Sequence, residues 1–448
     1  MNSFTLNVVQ LGIGFFLIFF AFFSESFIQE SVVDHYAGRT DLVHKHDGYT
    51  SLAIIYGAFV ISAWIAAPIV SWLNARWALA FAAVTYVLFQ MGFLFINRTY
   101  LFVSSVFVGL GAAVIWTAQG KYISLNSTEQ TASKHVSIFW VTSQSCFALG
   151  GVFLFFVFQY WDSFEENTVR TIYGVFTAFS LIGAIILAFL RLPTCPPGQT
   201  QEDGSVIPKD IPLTHAQMFY STLKLATSKR MLVLAVCLAY TGLQLSFWSG
   251  IYPTCISFTQ KLGSNTKGLI ALNLIAQGVA EAIAAVVCIC LNNSTRFKVS
   301  RVNIICFGTL SHVVAYCIIG LSFPALAPLY ETDGSGMFEP RTEIALFCGF
   351  LLGLGDACWN MQMFAFLISK YPLRAEQAFS LYMFFQALAA SVSFFYSKFL
   401  ELHWHSLILI AAVLLACICF SIAERIRDED EEAEDGVKSA EYDKLAIS

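Results

Sequence analysis

Charged residues are scarce in this sequence. Only 12% of the 448 residues are Asp, Glu, Lys or Arg, whereas soluble domains average about 25%. So little polar surface cannot cover a body in water, and 57% of the residues are hydrophobic. The sequence therefore predicts an integral membrane protein whose main surroundings are the lipid bilayer. The formal net charge of −5 gives no basic excess that would favour binding to nucleic acid.

Patterns for catalysis, metal binding and disulfide formation are also lacking. No phosphate-binding glycine loop, nucleophile elbow or zinc-ligand spacing occurs. Most of the 12 cysteines lie in apolar runs, where a thiol behaves as a small hydrophobic group. The closest pairs, Cys288 with Cys290 and Cys417 with Cys419, point to different faces of a helix. We expect no enzyme activity, no bound metal and no cofactor.

Long apolar runs dominate what is present. Each is about 20 residues long, which is the length that crosses the hydrocarbon core. The predicted spans are 6–28, 51–72, 77–96, 100–120, 136–158, 171–190, 231–256, 268–291, 304–323, 345–368, 377–397 and 404–423. The first run is too long for the core of a signal peptide, so we interpret it as an uncleaved first helix.

The spans divide the chain into two groups of six. The sequence predicts an N-terminal six-helix bundle (1–190) and a C-terminal six-helix bundle (231–423). A proline-rich, flexible cytoplasmic linker (191–230) joins them, and an acidic cytoplasmic tail (424–448) follows.

The positions of Lys and Arg favour a cytoplasmic location for both termini. This orientation places the majority of the 25 basic residues inside, although those of the short loops are evenly divided. The sequons at Asn126, Asn292 and Asn293 would then face the cytoplasm, and Asn97 lies too close to the bilayer. We therefore expect no glycosylation. A plasma membrane and an endolysosomal membrane both fit this interpretation.

The fourth and fifth spans recur in the second group of six. A Trp and a Gln three residues later appear in the fourth span and again in the tenth, each after a Gly-x-Gly. A further Gln appears in the fifth and eleventh spans. The matched pairs are Trp116 with Trp359, Gln119 with Gln362, and Gln144 with Gln386. Matches on the corresponding helices favour an internal duplication over chance similarity, as in the major facilitator superfamily fold.

Several short segments carry a closer resemblance. They are Gly48–Gly57, Val114–Gly120, Ser137–Trp140, Tyr240–Gly242, Phe350–Asp356, Phe394–Ser397 and His403–Trp404. Together they resemble the uncoordinated-ninety-three-like family of the major facilitator superfamily over all twelve spans. The linker, the ninth-to-tenth loop and the tail look unlike it. The resemblance implies an all-α fold of twelve transmembrane helices in two six-helix halves. It implies little chemistry, because members range from solute carriers to channel regulators and receptor-trafficking partners.

Three acidic residues lie within predicted spans: Glu25, Glu281 and Asp356. No span contains an interior Lys or Arg, so no ion pair is available to them there. A charge in the bilayer core costs about 2.5–3.5 kcal/mol on insertion scales. Each carboxyl group must therefore be protonated, face water or hold a cation. We interpret Asp356 and Glu281 as candidate coupling sites; the alternative is a protonated acid that joins helices. Glu25 is a further candidate for coupling, but near the outer end of its span it is expected to reach interfacial water.

Amides and tryptophans concentrate on the helices that line the central cavity of a facilitator fold. These candidate solute-binding residues are Trp116, Gln119, Gln244, Trp248, Trp359, Asn360 and Gln362. They could form an aromatic, amide-lined pocket for a small organic solute. The alternative is that the tryptophans pack between helices and the amides bond across them. The peripheral helices offer only Gln90 and His312.

Two further features bear on function. The loop after the second span, Trp72–Arg76, lacks the Gly- and Asp-containing gating motif that is typical of facilitators. In the tail, Tyr442 and Leu445 form a Tyr-x-x-Leu pattern that resembles an endolysosomal sorting signal, although an acidic tail is usually only solvated.

The leading hypothesis is a secondary transporter of a small solute that works by alternating access, with a proton or cation as the candidate coupling ion. The alternative is a non-transporting protein of the same fold that regulates or escorts a membrane-protein partner such as a channel or receptor.

Overall fold

The computed structural model describes residues 3–37, 42–44, 47–160, 166–192, 215–263, 266–293, 299–397 and 399–426. These residues form thirteen α-helices: α1 (Ser3–Ala37), α2 (Asp47–Gly92), α3 (Arg98–Leu125), α4 (Glu129–Tyr160), α5 (Glu166–Ala188), α6 (His215–Ala226), α7 (Lys229–Ser246), α8 (Tyr252–Phe258), α9 (Thr266–Asn293), α10 (Arg301–Ser322), α11 (Thr342–Lys370), α12 (Ala375–Ser397) and α13 (Leu402–Ala423). A π-helical turn, Phe247–Ile251, joins α7 to α8. Within the predicted acidic tail, residues 427–448, which include Tyr442 and Leu445, lie outside the described residues.

Among the described residues, eleven helical segments are long and apolar enough to cross a membrane, and one of them, α2, is long enough to cross it twice. Helix α2 has 46 residues, or about 69 Å at 1.5 Å per residue, which is roughly twice the hydrocarbon thickness. Its helical geometry breaks at Asn74, where φ is 59° and ψ is 163°. The α7–α8 pair makes a single crossing. The structure therefore confirms the twelve predicted spans.

Both ends of the bundle can be defined from the path of the chain. We call the end where α1 begins and α13 ends the termini face, and the opposite end the far face.

Backbone groups at the helix ends are satisfied by caps: Asn97 Oδ1 accepts from Thr99 N at 2.9 Å at the start of α3. Ser228 and Ser300 cap α7 and α10 in the same way.

The two halves share an aromatic arrangement as well as a helix order. Phe15 and Tyr240 are equivalent positions when Phe22–Ser24 is aligned with Phe247–Ser249. Phe15 meets Trp116 edge-on at a ring-centroid distance of 5.3 Å, and Tyr240 meets Trp359 edge-on at 5.1 Å. The same contact at equivalent positions supports the internal duplication.

The halves meet along a seam in which α4 packs against α9 and α2 against α12. At Gly278 of α9, an added Cβ would lie 2.4 Å from the backbone nitrogen of Ala148 in α4. Only glycine fits there. The seam is therefore a close backbone contact, and lipid does not separate α4 from α9 at this level.

Helix α6 was not anticipated from the sequence, which predicted a flexible linker over 191–230. Met218, Thr222 and Leu225 form its buried stripe. The helix packs on both α2 and α12, and Gln377 Nε2 contacts Met218 Sδ at 2.8 Å. The described end of the linker is thus a structured element that touches both halves at the termini face.

Two of the sequons have defined positions. Asn126 is fully buried, accepts from Asn7 Nδ2 at 2.8 Å and donates to the Tyr122 carbonyl at 2.8 Å. The side-chain amide of Asn126 is therefore engaged in hydrogen bonds inside the bundle. Asn97 is exposed at the far face, with its side chain engaged in the α3 cap. Asn292 and Asn293 end α9, and their side chains are not among the described groups.

The break at Asn74 predicts a specific sensitivity. Its backbone occupies a region that β-branched residues avoid, at a cost of about 1–3 kcal/mol. We expect Asn74→Val to lower the apparent melting temperature of the purified protein in detergent. Asn74→Gly, which adopts this backbone without strain, is the control and should melt close to the wild type. Equal melting of the valine variant and the wild type would contradict this account.

Candidate functional site

Asp356 lies near the middle of α11 and is only 4% exposed. Its Oδ1 accepts two hydrogen bonds, from Gln244 Nε2 at 2.9 Å and from Trp248 Nε1 at 3.2 Å. Trp248 belongs to the π-helical turn that joins α7 to α8, a local irregularity often found at functional sites. Two N–H donors on one oxygen suit an ionised carboxylate.

Glu281 lies near the middle of α9 and is 2% exposed. Trp140 and Gln144, on α4 in the other half, lie near its carboxyl group, and Asp356 is close enough for the two acidic groups to interact. Among the described residues, neither Glu281 Oε2 nor Trp140 Nε1 has a partner within hydrogen-bond distance. The two midplane acids therefore belong to one site at the seam, and neither points at lipid.

A hydrogen-bond network links this site to neighbouring helices. Asn360 Nδ2 donates to the Asp356 carbonyl at 3.1 Å, and Tyr382 OH donates to Asn360 Oδ1. Gln386 Nε2 in turn bonds Tyr382 OH and Thr241 Oγ1, both at 3.3 Å. The network joins α7, α11 and α12 and fixes the backbone that carries Asp356.

Three of the candidate amides, those of Gln119, Gln362 and Gln244, have buried atoms without a hydrogen-bond partner among the described residues. Both amide atoms of Gln119 and of Gln362 are buried and have no partner among the described residues, and Gln244 Oε1 is in the same condition. An unpaired buried polar atom costs about 1–3 kcal/mol. These amides are therefore suited to bonding with a polar molecule that enters between the helices.

The predicted pocket of three tryptophans is not formed among the described ring contacts. Trp116 packs on Phe15 and Phe19 of α1. Trp359 packs on Tyr240 and Phe420, within the C-terminal half. Only Trp248 reaches the other half, where its ring meets Phe147 edge-on at 5.4 Å. The described ring contacts of Trp116 and Trp359 therefore lie within their own halves.

Glu25 also differs from expectation. It is fully buried, whereas the sequence analysis expected it to reach interfacial water. Neither carboxyl oxygen has a partner within hydrogen-bond distance among the described residues. Its carboxyl group is close enough to interact electrostatically with Tyr173 of α5, so this acid faces the interior of the N-terminal half. It lies outside the Asp356–Glu281 site.

His312 was assigned to a lipid-facing helix, yet its side chain is completely buried. Its Nε2 bonds the Leu352 carbonyl at 3.0 Å, so Nδ1 accepts from Tyr240 OH. Tyr316 OH lies 3.2 Å from the same Tyr240 oxygen. The imidazole therefore ties α10 and α7 to the turn of α11 that precedes Asp356. A single polar residue in a peripheral span was the only sequence signal for it.

The seam is held together at the termini face by polar contacts between the halves. Lys121 Nζ of α3 lies 2.6 Å from Glu376 Oε2 of α12, and both side chains are largely buried. Ser380 Oγ of α12 donates to the Ala63 carbonyl of α2. Sequence reasoning missed this ion pair because its members lie at the ends of two different spans.

The fold and this seam define a class: the chain has the fold of major facilitator superfamily transporters. FucP in its outward conformation matches with a TM-score of 0.64 at 14% identity, covering 95% of this chain and all of that one. The proton:xylose symporter XylE, bound to 6-bromo-6-deoxy-D-glucose, matches with a TM-score of 0.63 at 14% identity, over 93% of this chain and 95% of that one.

Sequence comparison places the chain within a family. The family model described as ion channel regulatory protein UNC-93 matches residues 39–421, so the chain belongs to the UNC-93 family. The UNC93-like protein MFSD11 of Xenopus laevis is 33% identical over 430 residues, covering 94% of this chain and 96% of that protein. Human protein unc-93 homolog A is 24% identical, covering 95% and 94%. Fold and family point to a transporter or a regulator rather than an enzyme.

The Lys121–Glu376 pair predicts a coupling between the halves. Lys121→Glu or Glu376→Lys alone should destabilise the closed termini face, and the double exchange should restore part of the loss. We expect an interaction energy of about 1–2 kcal/mol for a partly buried pair. Thermal unfolding and hydrogen exchange at the ends of α3 and α12 measure it.

The exposed Glu166–Arg170 pair of α5, at 2.7 Å, provides the control for charge exchange. Exchanging its charges should leave hydrogen exchange at the termini face unchanged. Additive effects of the Lys121 and Glu376 substitutions would show that this pair does not connect the halves.

Proposed function

We propose that this protein is a secondary transporter of a small solute that works by alternating access between its two halves. The observation that carries the proposal is the pair of carboxyl groups, Asp356 and Glu281, at the seam near the middle of the membrane. Because polar groups of both halves surround these two acids, the surroundings of the acids would change when one half moves relative to the other.

The two acids have different roles in this proposal. Asp356 keeps its charge because Gln244 and Trp248 donate to its Oδ1. Glu281 takes up and releases a proton, or exchanges it for a cation, because its Oε2 has no described donor and the charge of Asp356 opposes a second ionised group nearby. The amides of Gln119, Gln244 and Gln362 supply hydrogen bonds for the solute.

The closure at the termini face supports alternation between two states. The loop after the second span departs from the usual facilitator gating motif, but Lys121–Glu376 and Ser380–Ala63 join the halves at the same face. Opening this face would break these contacts while α4 and α9 rock against each other. The structural neighbour XylE, a proton:xylose symporter, shows that this fold can couple a solute to a proton.

The orientation and location form part of the proposal. Both termini face the cytoplasm, as the positions of Lys and Arg favour. The protein resides in the plasma membrane or an endolysosomal membrane, and Tyr442 and Leu445 provide the sorting signal for the latter.

A second candidate function has its own support. The family description, ion channel regulatory protein, favours a protein that regulates or escorts a membrane-protein partner. The departure of Trp72–Arg76 from the gating motif agrees with this alternative. Such a protein would use the fold as a scaffold and need not move a solute.

Proteoliposomes with a trapped pH indicator test the transporter. Hexoses, amino acids and organic amines are added in turn as defined probes. We expect one class to drive proton movement in the wild type, and Glu281→Gln to reduce that movement to background because the proton site is lost. Asp356→Asn should weaken or abolish it. Asp333→Asn, in an exposed loop at the far face, is the matched control and should behave as the wild type.

Proton movement that survives Glu281→Gln would overturn the assigned coupling site. No flux with any probe, together with stable co-purification of one membrane protein, would favour the regulator instead. All variants must elute as monodisperse species, so that loss of flux is not loss of fold.

The tail gives a separate prediction. If Tyr442 and Leu445 form a sorting signal, a fluorescent fusion carrying Tyr442→Ala should shift from endolysosomal compartments to the plasma membrane. Imaging beside organelle markers measures the shift, and Tyr330→Ala, at the far face, is the control. An unchanged distribution would remove the sorting assignment.

A further inference from the structure

A groove of about 470 Å³ opens at the far face between α10 and α11, away from the seam. Ile318 and Leu321 of α10 and Ile344 and Phe347 of α11 form its apolar walls, and Glu339 and Arg341 stand at its rim. Its volume falls within the range of ligand pockets, which is about 300–1,000 Å³. An apolar cleft with both signs of charge at one end fits an amphiphilic ligand.

The rim is built by the loop that leads into α11. Gly336 N donates to the Ser322 carbonyl and Phe338 N to the Leu321 carbonyl, both at 3.1 Å. An added Cβ at Gly336 would lie 2.3 Å from the Leu321 carbonyl oxygen, so this close return of the loop requires glycine. The loop is therefore anchored on the end of α10, which holds Phe338 and Glu339 over the groove.

The position of the groove in the membrane decides what can enter it. Helix α10 ends at Ser322 and α11 begins at Thr342, so the rim lies where the spans leave the hydrocarbon at the far face. Leu321 is 40% exposed and Phe347 51% exposed on the outer surface of the bundle. The walls are therefore continuous with the surface that contacts acyl chains, and the charges lie at the level of lipid headgroups.

We propose that this groove binds one zwitterionic phospholipid from the leaflet at the far face. An acyl chain lies along Ile318, Leu321, Ile344 and Phe347. The phosphate lies by Arg341, a geometry that guanidinium groups favour, and the headgroup ammonium lies by Glu339. An anionic phospholipid offers nothing positive to Glu339, and a sterol offers neither charge. The pair of opposite charges at the rim thus selects the zwitterionic class.

The site is independent of the proposed transport. It joins the outer ends of α10 and α11, and both helices also support the seam, α10 through His312 and α11 through Asp356. A bound phospholipid would bridge these two helices at the far face, beside the loop that closes the groove.

Native mass spectrometry and thermal unfolding of the full chain test the proposal, with dioleoyl-phosphatidylcholine, dioleoyl-phosphatidylethanolamine and dioleoyl-phosphatidylglycerol as probes. We expect one molecule of the first two lipids to be retained per chain and to raise the melting temperature. Arg341→Gln should weaken retention about tenfold, the effect of losing one charge-assisted hydrogen bond. Ile318→Trp should fill the apolar cleft and abolish the retention.

Lys261→Gln, an exposed basic position at the same face but outside the groove, is the control and should retain lipid as the wild type does. Glu339→Gln should reduce the preference for zwitterionic over anionic lipid. Equal retention by wild type, Arg341→Gln and Ile318→Trp would show annular lipid only and overturn the site. Phosphatidylglycerol binding as strongly as phosphatidylcholine to the wild type would overturn the headgroup assignment.

Discussion

Hydrocarbon gives a buried carboxyl group neither water nor counterions, and this constraint organises the centre of the molecule. Asp356 receives its donors, Gln244 and Trp248, from helices of its own half. Glu281 instead faces Trp140 and Gln144 of the opposite half. In the proposed transport cycle, Asp356 would keep its donors while Glu281 exchanged its surroundings. The proton affinity of Glu281 would then depend on conformation, which is the property that coupling requires.

The bonding pattern around the site agrees with two rigid halves. The Asn360–Tyr382–Gln386 chain and the His312–Tyr240–Tyr316 cluster lie wholly within the C-terminal half, and they hold α11 from both sides. Across the seam at the termini face the described polar contacts are few, such as the Lys121–Glu376 pair and the Ser380–Ala63 bond. Strong bonding inside a half and sparse bonding between halves allow rocking without disruption of either bundle.

Sequence alone predicted much of the fold, because apolar length and the lack of interior cations are properties that can be read residue by residue. The twelve spans and the midplane position of Asp356 and Glu281 follow from them. The tryptophans show the limit: Trp116 and Trp359 were expected at a central pocket, yet they pack on α1 and α7. Which face of a membrane helix turns inward depends on its neighbours, since lipid and protein interior are similarly apolar.

Contacts between residues that are distant in the chain could not be predicted from the sequence, for a related reason. Lys121 and Glu376 lie just outside the predicted spans 100–120 and 377–397, and nothing in either span identifies the other as its partner. Helix α6 could not be predicted within the proline-rich linker, because its buried stripe consists of only three residues. That stripe is buried only because the helix packs on α2 and α12. Both features depend on how the two halves dock, which local pattern does not encode.

The seam also bears on the choice between transporter and regulator. A partner protein that docks on the outside of the bundle contacts lipid-facing side chains, and Asp356 and Glu281 are 4% and 2% exposed. Such a partner could respond to these acids only through a movement of the halves. A regulator that depended on these acids would therefore need the two-state seam proposed for the transporter, whereas a regulator that used the fold only as a scaffold would not. The buried acids at the seam therefore bear on a regulatory role only where that role depends on movement of the halves.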